Sequence, residues 1–214
     1  MTEPKEAKPI LLIGAGLAGS LLAVLLAKQG FPVIVAERRG DPRAAGYVGG
    51  RSINLALSVR GITALEAAGI ADQVLHDALP MPGRIMHPKS LTDATGEGTV
   101  FQPYSQDPRD AIRSVSRGGL NIALLDAAEA TPGVTLRFDH RCTRVDLDDA
   151  KATFDTADGE VELQGRVVIG ADGAFSAVRH AMQMTDRFDY SQYYLEAGYK
   201  ELHIPAPQDL PDLP

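Results

Sequence analysis

The chain contains little cysteine, no tryptophan and no excess of basic charge. Among its 214 residues there is one cysteine, Cys142, so no disulfide can form within the chain. A single cysteine is typical of proteins from a reducing compartment. The formal net charge is -7 at pH 7. This acidic balance argues against nucleic-acid binding, which needs a basic face to neutralise phosphates.

Long apolar runs are absent as well. The most apolar stretch near the start, residues 10–27, is interrupted by three glycines and follows a polar segment. It is not a continuous apolar run of the roughly 20 residues that a membrane-spanning helix needs. It also lacks the basic region and the cleavage site of a signal peptide. We therefore expect no membrane segment and a cytoplasmic location.

The histidines do not form a metal-binding pattern. They stand at positions 76, 87, 140, 180 and 203, without the spacing of metal ligands. We therefore predict no metal site and interpret these histidines as surface or packing residues. No Ser-His-Asp arrangement is evident either, so no side chain is predicted to act as a catalytic nucleophile.

A glycine-rich turn lies between a predicted strand at 10–13 and a predicted helix at 17–29. It reads Gly14-Ala-Gly16-Leu17-Ala18-Gly19. Gly14 permits a tight turn, Gly16 lets a pyrophosphate approach the backbone, and Gly19 lets the helix pack closely on the strand. With the next strand, predicted at 33–37, this βαβ unit predicts dinucleotide binding.

An acidic residue, Glu37, ends that second strand, 23 positions after Gly14. A carboxylate there accepts hydrogen bonds from a ribose diol and disfavours a 2′-phosphate. The first dinucleotide is therefore expected to be FAD or NAD. Arg38 and Arg39 follow directly, and they are either cofactor contacts or a solvated strand end.

A second turn stands about 150 residues later. Four small or apolar residues at 167–170 lead into Asp172-Gly173, and Ser176 and Arg179 follow on a predicted helix. Asp-Gly is also a common turn pair, so a simple strand-to-helix turn is the alternative. Two turns of these different types point to a flavoprotein that meets both FAD and a reduced nicotinamide. We expect them to converge on one cofactor.

The remaining pattern predicts an α/β chain. Helices are expected from the Ser58 N-cap to Ala68, at 120–130 and at 175–182, with strands at 134–138, 141–147, 152–156, 161–169 and 193–204 and an Asp158-Gly159 turn. Residues 38–51 form a long connection, and 80–104 alternate short strands with turn residues. The Pro-rich end suggests the N-terminal part of a longer protein.

The predicted fold is a Rossmann-like, three-layer FAD/NAD(P)-binding fold with an inserted and partly missing substrate-binding β-sheet domain. Residues 1–80 would hold the FAD-binding βαβ unit and the helices after it. Residues 81–106 would be the substrate-domain insertion, 107–184 the continued FAD-binding domain, and 185–214 the truncated start of the substrate domain.

Three further segments carry a family resemblance. Residues 50–58 (GRSINLALS), 114–117 (SVSR) and 187–192 (RFDYSQ) resemble the kynurenine 3-monooxygenase family of class A flavin-dependent aromatic hydroxylases. The resemblance covers nearly all of residues 9–204, and the first segment is its most specific part. It implies hydroxylation of L-kynurenine to 3-hydroxykynurenine with FAD, NADPH and O₂.

The resemblance also implies site residues, each at its matching position. It implies FAD contacts from Leu17, Ala18, Glu37, Arg38, Arg39, Arg51, Ala56, Arg117 and Cys142, in addition to the two turns. It implies that Arg84 and Tyr104 hold the amino-acid end of the substrate. A guanidinium pairs bidentately with a carboxylate, and a phenol adds one directed hydrogen bond. Without the family, Arg84 would be a surface cation and Tyr104 an aromatic at the core edge.

Three alternatives stay open. The chain could belong to another class A aromatic-ring hydroxylase, or it could be a nucleotide-binding module or an inactive fragment. An NAD-dependent dehydrogenase is the third, although it leaves Asp172-Gly173 unexplained. The expected partners are an aromatic amino-acid substrate and O₂, and a homodimer is conceivable.

Overall fold

The computed structural model describes residues 8–45, 54–87, 98–107, 111–198 and 200. Its helices are α1 Leu17–Lys28, α2 Pro42–Ala45, α3 Val59–Ala68, α4 Ala71–His76, α5 Arg117–Ala130 and α6 Ala177–Gln183. Its strands are β1 Ile10–Ile13, β2 Val33–Ala36, β3 Asn54–Leu57, β4 Leu79–Met81, β5 Gly83–Met86, β6 Val100–Pro103, β7 Ile112–Ser116, β8 Val134–Arg137, β9 Arg141–Asp146, β10 Lys151–Thr156, β11 Gly159–Gln164 and β12 Val167–Gly170.

A four-stranded parallel sheet forms the centre, in the order β12-β1-β2-β8. The central strand β1 is buried along its whole length, because layers cover both faces of the sheet. On one face, Leu12 and Val35 pack with Ala23 of α1 and Leu125 of α5. These layers confirm the predicted Rossmann-like α/β fold.

The second face of the central sheet is covered by an antiparallel sheet of β9, β10 and β11. Phe154 of β10 is fully buried there, in one cluster with Leu11 and Ile13 of β1 and Val178 of α6. The strands β3, β7 and β4 form another antiparallel sheet, and β5 pairs with β6 as a separate hairpin. The carboxyl ends of β1 and β12 therefore open into a space between the central sheet and the other layers of the fold.

The prediction of a single strand at 161–169 is wrong. The structure divides this segment into β11 and β12, which belong to different sheets. The break falls at Gly165, where a Cβ would lie 2.8 Å from the Pro9 carbonyl oxygen. Arg166 N–H donates to the same oxygen at 2.8 Å. This close approach of two backbones ends one ladder and starts the next. The loop between β10 and β11 is also shifted by one residue, to Ala157-Asp158, because Gly159 already pairs with Thr156.

Helix ends follow their capping residues. Helix α1 stops before Gly30, and Gly69 caps α3 in the left-handed conformation. Helix α5 begins three residues earlier than predicted, because the Ser116 hydroxyl accepts a hydrogen bond from the Gly119 N–H at 3.2 Å. The strand expected at 193–204 does not form over the described residues 193–198, which have no strand to pair with. Residues 199 and 201–204 lie outside the described residues.

The long connection after β2 contains α2, and Arg43 ties it to helix α5. The Arg43 guanidinium contacts Asp41 at 2.6 Å, Asp126 at 3.1 Å and Glu129 at 2.7 Å. It lowers the pKa of the Asp41 carboxyl below its usual range, mainly through a side-chain hydrogen bond. This network fixes the chain directly after Glu37 and its two arginines. Within the described ranges, no helix is long and apolar enough to cross a membrane.

Candidate functional site

The two glycine-lined turns meet at the carboxyl ends of β1 and β12. These strands are parallel neighbours, and Ile13 accepts a hydrogen bond from the Ala171 N–H at 2.7 Å. Gly14 has φ +103°, and a Cβ on it would lie 2.6 Å from the Ala171 oxygen and 2.9 Å from the Asp172 Cα. The two turns are therefore in contact, and this contact leaves no space for a side chain at Gly14.

The three glycines of the first turn have separate geometries. A Cβ on Gly19 would lie 1.9 Å from the Gly14 carbonyl oxygen, so Gly19 sets how closely α1 approaches the turn. Gly16 is different, because it precedes α1 as its N-cap and a Cβ there would meet nothing within 4 Å. The backbone at Gly16 is exposed, and a ligand can approach it directly.

Glu37 joins the end of β2 to this turn. Its Oε2 accepts a hydrogen bond from the Ala15 N–H at 2.9 Å, and its Oε1 accepts one from the Arg39 N–H at 3.1 Å. A carboxylate has about four acceptor positions, so each oxygen can still accept a hydrogen bond from a hydroxyl of a bound ribose. Arg38 and Arg39 are both exposed.

Asp172 is held at the start of α6 by hydrogen bonds to one of its carboxylate oxygens, while the other oxygen has no partner among the described residues. Its Oδ2 accepts hydrogen bonds from the Ala177 N–H at 2.6 Å and the Val178 N–H at 3.4 Å. Its Oδ1 is buried and has no hydrogen-bond partner among the described residues. The Arg179 guanidinium donates to the carbonyl oxygens of Gly173 and Ala174, which holds the turn in place.

Gly14, Glu37 and Asp172 line a polar cleft of about 430 Å³, whereas Gly16, Gly19 and Gly173 are not among its lining residues. Its lining residues are Ile13, Gly14, Ala36, Glu37, Arg38, His140, Arg141, Cys142, Thr143, Asp172, Phe175, Ser176, Ala177 and His180. The structure thus brings Gly14, Glu37, Arg38, Cys142 and Asp172 together as the sequence suggested. Arg39 is not among the lining residues.

Sequence reasoning missed the wall formed by His140, Arg141 and Thr143. The His140 N–H donates to the Glu37 carbonyl at 2.8 Å, which brings this segment to the end of β2. The His140 ring also bonds the Phe138 carbonyl at 2.6 Å through Nδ1 and lies 5.9 Å from the Phe154 ring. Only the pairing of β8 with β2 reveals this position, and no local sequence signal encodes that pairing. Among the described residues, no group of three metal-ligating side chains could hold a metal ion.

An apolar groove of about 310 Å³ lies at the start of α1. Its lining residues are Leu17, Ala18, Leu21, Leu55, Ala56, Leu57, Gly61, Leu65, Leu120 and Leu124. Three predicted FAD contacts, Leu17, Ala18 and Ala56, therefore line this groove and not the polar cleft. Arg117 is half-buried at the start of α5. Arg51 lies outside the described residues.

Arg84 and Tyr104 belong to the β5–β6 hairpin. Arg84 pairs with Gln102 across the hairpin, and the Tyr104 N–H donates to the Pro82 carbonyl at 3.0 Å. Side chains alternate along a strand, so Arg84, Gln102 and Tyr104 share one face of the hairpin. The Arg84 guanidinium donates to Gln102 Oε1 at 2.8 Å from Nε and 2.6 Å from Nη2. Gln102 is thus a further member of this group that the sequence did not single out.

The donor and acceptor pattern fits FAD. The buried Asp172 Oδ1 lacks a donor, which a hydroxyl of a ribityl or ribose group would supply when FAD is bound. The open backbone at Gly16 admits a pyrophosphate next to the first turn of α1. The spare lone pairs of Glu37 fit a ribose diol.

The position of Cys142 in the polar cleft raises the pKa of its thiol, and this effect can be measured by chemical labelling. Burial, with a smaller effect from the Asp172 carboxylate, raises the pKa of the Cys142 thiol to about 11. The raised pKa favours the neutral thiol, so at pH 8 the reactive thiolate is roughly 100-fold scarcer than in the unfolded chain.

We expect iodoacetamide to label Cys142 slowly at pH 8 and faster as the pH rises towards 11. Labelling followed by mass spectrometry checks this, and added FAD should slow the reaction further. Equal rates in the native and denatured protein would contradict it.

Curated relatives share much of the sequence. The chain is 46% identical over 199 residues to a kynurenine 3-monooxygenase from Myxococcus xanthus (strain DK1622), covering 92% of this chain and 42% of that protein. It is 45% identical to a kynurenine 3-monooxygenase from Dictyostelium discoideum, covering 93% and 41%. The chain therefore spans less than half the length of the curated relatives it matches.

Solved structures share the fold. The p-nitrophenol 4-monooxygenase PnpA from Pseudomonas putida DLL-E4 superposes with a TM-score of 0.68 at 20% identity, covering 84% of this chain and 44% of that one. This likeness shows the fold alone. Aklavinone-11 hydroxylase, solved with FAD and aklavinone, gives a TM-score of 0.61 at 26% identity, covering 86% and 36%.

A family match covers most of the chain. The FAD binding domain family matches residues 7–206, which include the two turns, the polar cleft and the hairpin. The match also agrees with the unpaired Asp172 oxygen and the open Gly16 backbone. The chain therefore belongs to the FAD binding domain family.

Proposed function

We propose that the protein is an FAD-dependent monooxygenase that hydroxylates L-kynurenine to 3-hydroxykynurenine with NADPH and O₂. The observation that carries this proposal is the contact between the Gly14 turn and the Asp172 turn, in a chain whose curated relatives are named kynurenine 3-monooxygenase. The division of the chain into FAD-binding and substrate segments, with the boundaries given above, is part of the proposal.

When bound, FAD supplies the oxidation-reduction and oxygen chemistry of this reaction. The chain's own residues bind and orient the cofactor. Glu37 and Asp172 accept hydrogen bonds from its hydroxyls, and Gly16 lets its pyrophosphate reach the backbone. The apolar groove at Ala18 and Ala56 receives a less polar part of the same molecule. No nucleophilic side chain is required.

The β5–β6 hairpin would hold the amino-acid end of the substrate. Gln102 fixes the Arg84 guanidinium through two hydrogen bonds, which leaves Nη1 and the outer N–H groups for a carboxylate. Tyr104 on the same face adds a hydroxyl. A guanidinium whose position is already fixed loses less conformational entropy when the carboxylate binds.

Product formation tests the proposed reaction. In the protein at its natural length, loaded with FAD, kynurenine should stimulate NADPH oxidation, with one 3-hydroxykynurenine formed for each NADPH and O₂ consumed. Hydroxylation of a different aromatic substrate, with no response to kynurenine, would favour another class A hydroxylase. If the 214-residue chain, purified by itself, shows no flavin absorbance even after FAD is added, it is an inactive fragment.

Arg84→Ala tests the substrate end. We expect the KM for kynurenine to rise by at least about tenfold, because a charge-assisted hydrogen bond to the carboxylate is lost. The flavin content should not change, because Arg84 is exposed and lies outside both cofactor-lining surfaces. Steady-state kinetics and a flavin spectrum measure the two quantities. An unchanged KM would reject the role of Arg84.

Two further assignments belong to this proposal. A cytoplasmic location is favoured by the single cysteine, and cell fractionation tests it. A homodimer stays a prediction that sedimentation of the purified protein tests.

A further inference from the structure

A third space, here called the hairpin cleft, opens where the end of the β5–β6 hairpin approaches the start of α3. Its volume is about 480 Å³. Its lining residues are Ser58, Val59, Arg60, Tyr104, Ser105, Ala111 and Ile112. Tyr104, one of the two residues proposed to hold the substrate, therefore faces this cleft. Arg84, the other, is not among its lining residues.

In the part of the chain that the structure describes, Arg60 is the one charged residue that lines the hairpin cleft. The guanidinium of Arg60 has no hydrogen-bond, ion-pair or ring partner among the residues that the structure describes. Arg43, which contacts three carboxylates, and Arg84, which donates to Gln102, are engaged, whereas other described arginines, Arg38 and Arg117 among them, are unpaired like Arg60. Arg60 is therefore a free cation beside a phenol in a concave site.

The rest of the lining fits an aromatic molecule with one anionic group. Val59, Ala111 and Ile112 supply the apolar wall, and Val59 is 65% exposed. Ser58 precedes α3, but its hydroxyl makes no capping hydrogen bond to that helix. A concave site with apolar walls and a few polar groups is the usual form of a small-molecule site.

We propose that Arg60 is a second guanidinium for the substrate carboxylate, facing it together with Tyr104 in the hairpin cleft. This inference rests on the proposed function, because it assumes a substrate whose aromatic ring carries a side chain that ends in an amino-acid carboxylate. The planar guanidinium matches the two oxygens of a carboxylate, and Tyr104 donates a third hydrogen bond. Arg60 thereby selects aromatic amino acids over amines of the same shape.

The experiment compares two ligands in the FAD-loaded protein at its natural length. One is L-kynurenine, and the other is the analogue in which hydrogen replaces the carboxylate. Arg60→Gln should weaken binding of kynurenine by at least about tenfold and change binding of the analogue by less than about twofold. Isothermal titration calorimetry measures both affinities. Arg60→Lys, which keeps the charge and loses the planar fork, should fall between Arg60→Gln and the wild type.

Arg144→Gln is the matched control. It removes one exposed positive charge on β9, away from the hairpin cleft, and should leave both affinities unchanged. Thermal unfolding and flavin content verify that each variant is folded. If Arg60→Gln binds kynurenine as tightly as the wild type, or loses both ligands equally, the inference is overturned while the proposed function stands. If the wild type itself does not bind kynurenine, the proposed function fails, and this inference fails with it.

Discussion

Replacing Gly19 with alanine is expected to lower the free energy of unfolding by about 3 kcal/mol or more. The new Cβ would lie 1.9 Å from the Gly14 carbonyl oxygen and 3.3 Å from the Ala171 Cβ. Neither neighbour can give way easily. Gly14 is held by the Ala36 carbonyl, and Ala171 is held by the Ile13 carbonyl. The methyl group must therefore push α1 away from the central sheet.

Urea unfolding followed by circular dichroism measures this loss. Gly16→Ala is the control, because its Cβ meets nothing within 4 Å and its φ of -73° suits any residue. The two substitutions lie three positions apart in the sequence, and each adds one methyl group. If Gly19→Ala unfolds at the same urea concentration as the control, the close packing between α1 and the turn is not required for stability.

The sequence predicts the first βαβ unit well, because its signals are local. The apolar runs at 10–13 and 33–36 form the buried strands β1 and β2, and glycine ends α1 where expected. The pattern of Gly14, Gly16 and Gly19 specifies a tight turn, an open backbone and a close contact without reference to the rest of the chain. The structure reproduces each of these geometries.

Strand order is harder to predict from the sequence, because it depends on contacts between distant segments. The apolar run at 161–169 looks like one strand, and only the approach of Pro9 to Gly165 divides it. The pairing of β8 with β2 likewise carries His140 and Arg141 to the polar cleft. Local patterns contain neither contact, so the cleft wall could not be predicted from them.

The residues proposed to hold the amino-acid end of the substrate are identified by a third kind of information. Composition and spacing leave Arg84 as a surface cation, and the family resemblance alone assigns it a role. The hydrogen bonds to Gln102, the shared face with Tyr104 and the unpaired Arg60 emerge only in three dimensions. Exposed polar residues carry little periodic signal, because no packing constraint fixes their identity.

Replacing Gly16 with alanine should leave the fold intact and weaken FAD binding by about 100-fold or more, which corresponds to about 2.7 kcal/mol. The backbone at Gly16 is exposed at the start of α1, where the helix terminus favours a pyrophosphate. A methyl group there would occupy the position of the phosphate oxygens and keep them from the backbone N–H groups. The same open space that makes the substitution harmless for stability makes it harmful for the cofactor.

Titration of the flavin-free protein with FAD, followed by flavin fluorescence, measures the affinity, and thermal unfolding without FAD measures the stability. Gly198→Ala is the matched control, since its Cβ also meets nothing within 4 Å but the residue follows α6 and is not part of the glycine-rich turn that precedes α1. We expect the control to bind FAD as the wild type does. If Gly16→Ala also binds FAD with wild-type affinity, the pyrophosphate does not approach the chain at this turn. The polar cleft must then hold the cofactor through Glu37 and Asp172 alone.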